Sequence, residues 1–395
     1  MTVTMELPDA FWFQEGPGVR NWQFTNTGIK LLNVGNITKN GGIDLSKTDR
    51  CLSNEEVRNK YTHFLLDAGD LVIASSGISF EEDGLLRTRG AFVEKSHLPL
   101  CMNTSTIRFK PKAGLSDLNY LKFWLDSGEF RNQITRLVTG SAQQNFGPSH
   151  LKSIHITLPP LEEQRRIARK LHKVDRLLSG RRYALALTDG FLPSAFRQFF
   201  GPQLKDGPFR AFGDLVKITG GGTPARDHPE FYQGRIPWLT SKDMKGDYIW
   251  DTEEHITEEA IQESATNLVS AGSILVVVKS KVLMHRLPVA VAKVPLCHGQ
   301  DIKSIQCSEA LQPEFARFVL KFHEKRLLNL ARGANTEGLT LPMLEELPVP
   351  TVTHSEQERF AKLVAQHERL CAVQREALRQ AEHLFASLLD RAFEG

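Results

Sequence analysis

Between residues 161 and 199 the apolar residues return in alternating steps of four and three. They are Ile167, Leu171, Val174, Leu178, Leu185, Leu192, Ala195 and Phe199, with Arg181 and Thr188 as interruptions. The same stepping returns later as Phe360, Val364, His367, Cys371, Gln374, Leu378, Ala381, Phe385, Leu388 and Ala392. Heptad-like spacing sustained this long favours two coiled-coil helices. At about 38 residues, each would be roughly 57 Å long. Gly190 and Pro193 lie inside the first copy, where the second has His383 and Ala386. A proline inside a helix removes a hydrogen bond and clashes with the preceding turn, so a break is expected near Gly190 in the first copy only.

The regions before these helices have a different pattern. Leu71-Val72-Ile73-Ala74, Ile274-Leu275-Val276-Val277-Val278 and Val289-Ala290-Val291-Ala292 are short apolar runs bounded by glycine or proline. They read as strands. Leu121, Trp124, Leu125 and Phe130 predict a helix over Asp117 to Leu137, with a counterpart over Pro313 to Leu330. Gly220-Gly221-Gly222-Thr223-Pro224 reads as a loop and not a strand.

The chain is an internal repeat. Gln164 in Leu158-Pro159-Pro160-Leu161-Glu162-Glu163-Gln164-Arg165-Arg166-Ile167 matches Gln357 in Val352-Thr353-His354-Ser355-Glu356-Gln357-Glu358-Arg359-Phe360, an offset of 357 − 164 = 193. Gly140 and Gly333 each lie 24 residues before their glutamine. Further forward the offset drifts: 203 between Gly69 and Gly272, 196 between Cys101 and Cys297, 207 between Ile29 and Ile236. Insertions and deletions fall in loops, so each unit has a variable front and a geometrically constrained back.

Composition narrows the function classes. The chain has 395 residues, 41% hydrophobic and 24% charged, with a net charge of +3. That is ordinary for a soluble protein with two or more domains. Five cysteines with no C-x-x-C pair argue against a disulfide framework or a zinc cluster. The N-terminus lacks a secretory pattern, and no stretch approaches the length of a membrane span, so a cytoplasmic protein is expected. Gly41 to Thr48 has Ser46 where a phosphate-binding loop needs glycine, and reads as a surface turn. His97 with Cys101, and Cys297 with His298, are two pairs in separate places and do not make one metal site. No nucleophile–base or paired-carboxylate signature stands out.

Charge is informative locally. Pro160 to Arg182 holds eight basic and three acidic residues, whereas Ser355 to Glu382 holds five of each. The first helix therefore has a positive face, suited to phosphate or to an acidic partner surface. In the fronts, polar and basic residues follow the apolar strands: Ser75, Ser76, Arg87 and Arg89 in one, and Thr240, Ser241, Lys242, Lys279, Lys281 and Arg286 in the other. These are side chains able to meet base edges and phosphates, and they equally decorate ordinary loops.

Leu158 to Ile167 resembles the conserved-region signature of the specificity subunit of type I restriction–modification systems. Gly220 to Pro224 followed by Ile236-Pro237-Trp238-Leu239 resembles the opening of that family's target recognition domain, and Ser387 to Gly395 the end of its helical segment. The second glutamine motif departs from the pattern, with His354-Ser355 at the Pro-Leu-like positions. The resemblance covers the whole chain and implies two α/β (α+β) target recognition domains, 1–157 and 202–350. They would be separated by two long antiparallel helices, 158–201 and 351–395, which form a coiled coil with pseudo-twofold symmetry. Each domain would read one half of a bipartite site on double-stranded DNA, with the helices as spacer. The resemblance implies a subunit with no catalytic centre and no cofactor or metal of its own. Methyltransferase subunits using S-adenosylmethionine, and ATP- and Mg-dependent restriction subunits, would be its partners. Gln164, Arg165, Arg166, Arg169, Lys170, Gln357 and Arg359 would belong to the spacer helices and their partner docking. A related system that fuses cleavage and methylation in one partner fits equally well. A stand-alone enzyme with duplicated DNA-modifying domains is the alternative of another class.

Overall fold

The computed structural model describes residues 2–38, 41–46, 48, 50–75, 88–137, 145–333 and 338–393. Two compact units divide the chain: Met1–Tyr183 with Arg375–Gly395, and Ala184–Gln374. They are unit 1 and unit 2 below. Gly140 lies outside the described residues.

Unit 1 begins with β1 (Val3–Glu6), β2 (Phe11–Glu15), β3 (Ile29–Leu32) and β4 (Cys51–Leu52). It continues with β5 (Leu71–Ala74), β6 (Gly90–Phe92), β7 (Leu100–Met102), β8 (Thr106–Pro111) and β9 (His155–Leu158). They form an antiparallel sheet β2-β8-β5-β6, a small mixed sheet β4-β3-β7 in which β3 and β7 are parallel, and the pair β1-β9. Unit 2 has β10 (Phe209–Ala211), β11 (Val216–Gly220), β12 (Ile236–Leu239), β13 (Tyr248–Ile249) and β14 (Glu254–Ile256). It adds β15 (Ile274–Val277), β16 (Val289–Ala292), β17 (Cys297–His298), β18 (Ile302–Cys307) and β19 (Pro348–Pro350). The plan is the same: β11-β18-β15-β16, then β14-β12-β17 with β12 and β17 parallel, then β10-β19. Among the described residues β13 is an addition, paired in parallel with β16 at the sheet edge. Both α/β fronts are thus one mixed design used twice.

The strands sit where the short apolar runs placed them. Val72 and Leu275 are fully buried because the sheet has covered faces on both sides. Gly69 and Gly272 precede the matching strands with φ of +95° and +89°, a left-handed turn that glycine adopts without steric cost. Gly220 differs from the sequence reading, because it ends β11 opposite Lys303 and only the following glycines leave the strand. The single helices expected before the glutamine motifs are each two. Leu118–Trp124 and Gly128–Leu137 are divided at Ser127, whose Oγ donates to Trp124 O at 2.6 Å and caps the first. Pro313–Phe322 and Glu324–Gly333 are divided at His323, whose ring meets Pro348 O at 3.1 Å.

The first long helix runs Leu161–Asp189 and is followed by Phe191–Asp206, with Gly190 at the break. The second is continuous over His354–Phe393. Helical structure in the first copy therefore extends past residue 201, with Pro202 inside it. Past the break Leu192 and Ala195 stay inside, as the heptad placed them. Phe196 and Phe200 are buried, and Phe199, which the uninterrupted heptad put inside, is 42% exposed. Within unit 1 the helices are antiparallel: Ala168 and Leu171 share a core with Leu389 and Phe393, and Arg182 pairs with Glu382 at 2.9 Å. Within unit 2, Phe191 stacks on His367 and Phe196 meets Phe360 edge-on at 5.3 Å, again antiparallel.

The two fronts differ in one buried detail. In unit 1 the Arg108 guanidinium is buried beside Asp70 at 3.5 Å. It also donates to Leu65 O (2.7 Å), His63 O (3.0 Å) and Gln14 Oε1 (2.7 Å). The matching positions in unit 2 are Ser304 and Ser273, both neutral and buried. Removing the Arg108 guanidinium leaves Asp70 with the half-exposed Lys110 at 3.5 Å as its remaining ion partner, and leaves Leu65 O, His63 O and Gln14 Oε1 without their donor. Arg108→Ala should therefore cost about 3–5 kcal/mol in chemical denaturation. Ser304→Ala removes only a weak neutral bond and should cost under about 1.5 kcal/mol. Equal costs would mean that the pair does not brace unit 1.

Candidate nucleic-acid interface

The glutamines of the repeat are internal latches. Gln164 is 0% exposed. Its Oε1 accepts from Asp117 N at 3.0 Å, and its Nε2 donates to Leu115 O at 2.9 Å and Pro159 O at 2.8 Å. Gln357 makes the same three bonds, to Gln312 N (2.9 Å), Ala310 O (3.1 Å) and Val352 O (3.4 Å). Each carboxamide ties the first turn of a long helix to the loop that starts the domain's own helix. This corrects their grouping with partner-docking residues, since every polar atom of the amide is already engaged inside the unit. The two helix starts differ in chemistry. The first copy uses Pro159-Pro160, with Pro160 O accepting from Gln164 N at 3.0 Å. The second uses a capping box, with Thr353 N donating to Glu356 Oε2 at 2.8 Å and Glu356 N donating to Thr353 Oγ1 at 3.3 Å. The apparent decay of the second motif is a substitution of one helix-start device for another.

The remaining helix candidates are exposed. Arg165 pairs with Glu162 at 2.6 Å, and Arg166 pairs with Glu163. Arg169 donates to Arg165 O at 3.2 Å. Lys170 and Arg359 face solvent. Arg169, Lys170, Lys173 and Arg176 are exposed and form no ion pair among the described residues, so the positive face of the first helix is uncompensated there.

In unit 2 the structure brings the loop candidates into two adjoining turns. Thr240 N and Oγ1 both donate to Asp243 Oδ2, at 2.9 and 2.7 Å, which folds the turn after β12 and spends the Thr240 hydroxyl on it. Ser241 is half-buried and Lys242 is exposed. Arg286, exposed, donates to Met244 O at 3.0 Å and so joins this turn to the segment carrying Lys279 and Lys281, both exposed. Three residues that the sequence reading missed hold that second segment. Glu324 Oε1 accepts from Leu287 N at 2.6 Å, Lys321 Nζ donates to Leu287 O at 2.7 Å, and Arg332 Nη2 donates to Met284 O at 2.5 Å. Burial holds the Lys321 ammonium below its ordinary pKa. A lysine and a glutamate three apart on a strongly apolar helical stretch are the available sequence signal.

Unit 1 repeats the first turn: Asn33 N donates to Asn36 Oδ1 at 2.9 Å, 207 residues before the Thr240–Asp243 bond. Ser75 is corrected as a DNA-contacting candidate. It is 3% exposed, its N donates to Ser105 O at 3.0 Å, and its O accepts from Phe146 N at 3.1 Å. Arg89 is half-buried at the end of that strand pair. Ser76 and Arg87 lie outside the described residues.

The glycine-rich segment is a packing device. A Cβ on Gly221 would meet His298 O at 2.0 Å, and one on Gly222 would meet Ala265 C at 2.6 Å. Gly222 O accepts from Trp238 Nε1 at 3.1 Å. Cys101 and Cys297 are buried, which pushes their thiols up to about 12 and about 11, away from nucleophilic thiolate. Among the described residues, no group of three or more His, Cys, Asp or Glu side chains could hold a metal ion, and no helix is long and apolar enough to cross a membrane.

The comparisons with known proteins agree with one another. A family model described as the type I restriction modification DNA specificity domain matches residues 24–185 and again 206–383. The chain is 31% identical over 165 residues to the specificity subunit of the type I restriction enzyme EcoR124I/EcoR124II of Escherichia coli, covering 41% of each chain. It is 28% identical over 174 residues to the MjaIX specificity subunit of Methanocaldococcus jannaschii, covering 42% of this chain and 39% of that one. These matches span well under half of the curated relatives' lengths. Among solved structures, the S subunit of the type I restriction–modification system of M. genitalium has a TM-score of 0.60 at 16% identity, covering 100% of this chain and 96% of that one. A chain of a type I R-M system, solved in a study of complex assembly and conformational transition, has a TM-score of 0.59 at 19% identity, covering 99% and 97%. Both likenesses extend over the whole two-unit fold.

The latch has a direct test. Gln164→Ala leaves Asp117 N, Leu115 O and Pro159 O without their buried partner, and should cost at least about 2 kcal/mol in chemical denaturation. It should also speed hydrogen exchange at the Asp117 amide. Arg165→Ala, which removes only exposed pairs, should cost under about 1 kcal/mol. If Gln164→Ala is as mild as Arg165→Ala, the amide is not a latch.

Proposed function

This chain belongs to the type I restriction modification DNA specificity family, and on that premise we propose that it is the DNA-reading subunit of a type I restriction–modification complex. Unit 1 and unit 2 each read one half of a bipartite site on double-stranded DNA. The chain itself is a non-catalytic subunit of the cytoplasm. Methyltransferase subunits that bind S-adenosylmethionine dock on it to modify adenine, and restriction subunits dependent on ATP and Mg cut unmodified DNA. The observation that carries this reading is the repeated Gln164 and Gln357 latch, with the same three backbone partners in each unit. It fixes a scaffold twice while the loops above it differ in length and sequence, as two independent readers require.

The modest charge of +3 suits a subunit that shares its grip on phosphate with partners. Exposed Lys242, Lys279, Lys281 and Arg286 supply phosphate and base-edge donors in unit 2. The unpaired Arg169, Lys170, Lys173 and Arg176, followed by exposed Leu177 and Tyr183, offer the first helix as a mixed cationic and apolar docking face.

The test is motif mapping in a host that carries the chain with its methyltransferase partners. Replacing 1–151 with the same region of a relative should change one half of the methylated motif and leave the other half intact. The purified chain alone, given DNA, Mg, ATP and S-adenosylmethionine, should neither cut nor methylate. A swap that alters both halves, or turnover without partners, contradicts the reading.

A further inference from the structure

The segment Lys281–Leu287 in unit 2 is held by its main chain, which leaves its outward side chains free for another purpose. Its 3₁₀ turn, Lys281–Met284, starts at Ser280, whose Oγ accepts from Val282 N at 3.4 Å. Leu283 and Leu287 are buried and anchor it in the core. Glu324 and Lys321 grip the N–H and C=O of Leu287, and Arg332 grips the C=O of Met284. Arg286 extends the bracing to the neighbouring turn through Met244 O.

Holding a half-buried ammonium group and carboxylate against one loop costs some desolvation. That cost is offset when the loop must meet a ligand without losing further conformational entropy on binding. Between the buried leucines stands Met284, 61% exposed. An apolar side chain held out at the tip of a braced turn gains nothing from water. The exposed Lys279, Lys281 and His285 around it suit a polyanionic surface with an apolar feature within reach. On the major-groove edge of duplex DNA that apolar feature is the C5 methyl of thymine.

We propose that Met284 is a specificity-determining residue of unit 2, its thioether packed on a thymine methyl in that unit's half-site. The inference rests on the DNA-reading function proposed above and names one contact within it. Glu324, Lys321 and Arg332 are positioning residues, acting through the loop backbone.

The test uses the chain assembled with its methyltransferase partners and a duplex carrying its mapped motif. Each thymine of the unit 2 half-site is replaced in turn by uracil, which pairs identically and lacks only the methyl group. One replacement should weaken binding by the wild-type complex about three- to fivefold, the loss expected for one buried methyl. The same replacement should have no effect on the Met284→Ala complex, which tolerates the change because its side chain is at the surface. Uracil replacements that are all silent in the wild type, a loss of equal size in Met284→Ala, or a half-site with no thymine on either strand would each overturn the assignment. If the assembled complex prefers its motif over a scrambled duplex, the DNA-reading function stands whatever becomes of Met284. If it shows no preference, that function falls and the Met284 contact falls with it.

Discussion

A buried carboxamide with three backbone partners is the constraint on which the rest of each unit is built. Gln164 and Gln357 sit in the first turn of a long helix, and each bonds to the peptide that precedes the helix and to two peptides at the start of a domain helix. Moving the helix away would leave those buried peptide groups unpaired, which holds it at its entry to the front. This explains the fixed 193-residue offset at the glutamines. The partners of the amide are separated by 312 − 117 = 195 and 352 − 159 = 193, almost the same value. Further from the latch the strands are free to drift, and their offsets range from 196 to 207.

Around that constraint the two copies have diverged where divergence costs little. The helix start is built from Pro159-Pro160 in one copy and from the Thr353–Glu356 capping box in the other. Beneath the turn that leads into β5 or β15 lies an ionic cluster in unit 1 and serines in unit 2. Among the described residues only unit 2 has β13, locked by Arg317, which pairs with Asp247 at 2.9 Å and lies over the Tyr248 ring. Each change alters how a loop is supported and leaves the central sheet order untouched. Under the proposed function, that separation lets the loops vary with the DNA sequence read while the scaffold stays fixed.

Much of this was legible in the sequence because it is periodic or duplicated. The strand runs, the two long helices, the break at Gly190 and the two-copy plan all follow from spacing. What the sequence did not disclose depends on local hydrogen bonding. Ser127 and His323 each divide a helix whose apolar spacing is continuous. Past Gly190 the buried stripe keeps Leu192 and Ala195 but takes in Phe196 and Phe200 in place of Phe199. Gln164 looked like a surface feature of a charged motif, because a glutamine says nothing of its burial. Ser75 looked like a loop hydroxyl and is buried, its backbone bonded to Ser105 and Phe146. The grip of Glu324 and Lys321 on Leu287 joins residues 37 and 34 positions apart, beyond the reach of any local pattern.

The central claim is that two latched readers are joined by helices that set the spacing of their half-sites. Both helices pass from one unit to the other, after Tyr183 and after Gln374. Adding one heptad at each of these points lengthens both by about 10 Å, or roughly three base pairs of duplex. The decisive measurement is the methylated motif of a host carrying that variant with its partner subunits. The account predicts unchanged half-sites separated by about three more unspecified base pairs. An unchanged spacer, or an altered half-site, would contradict it.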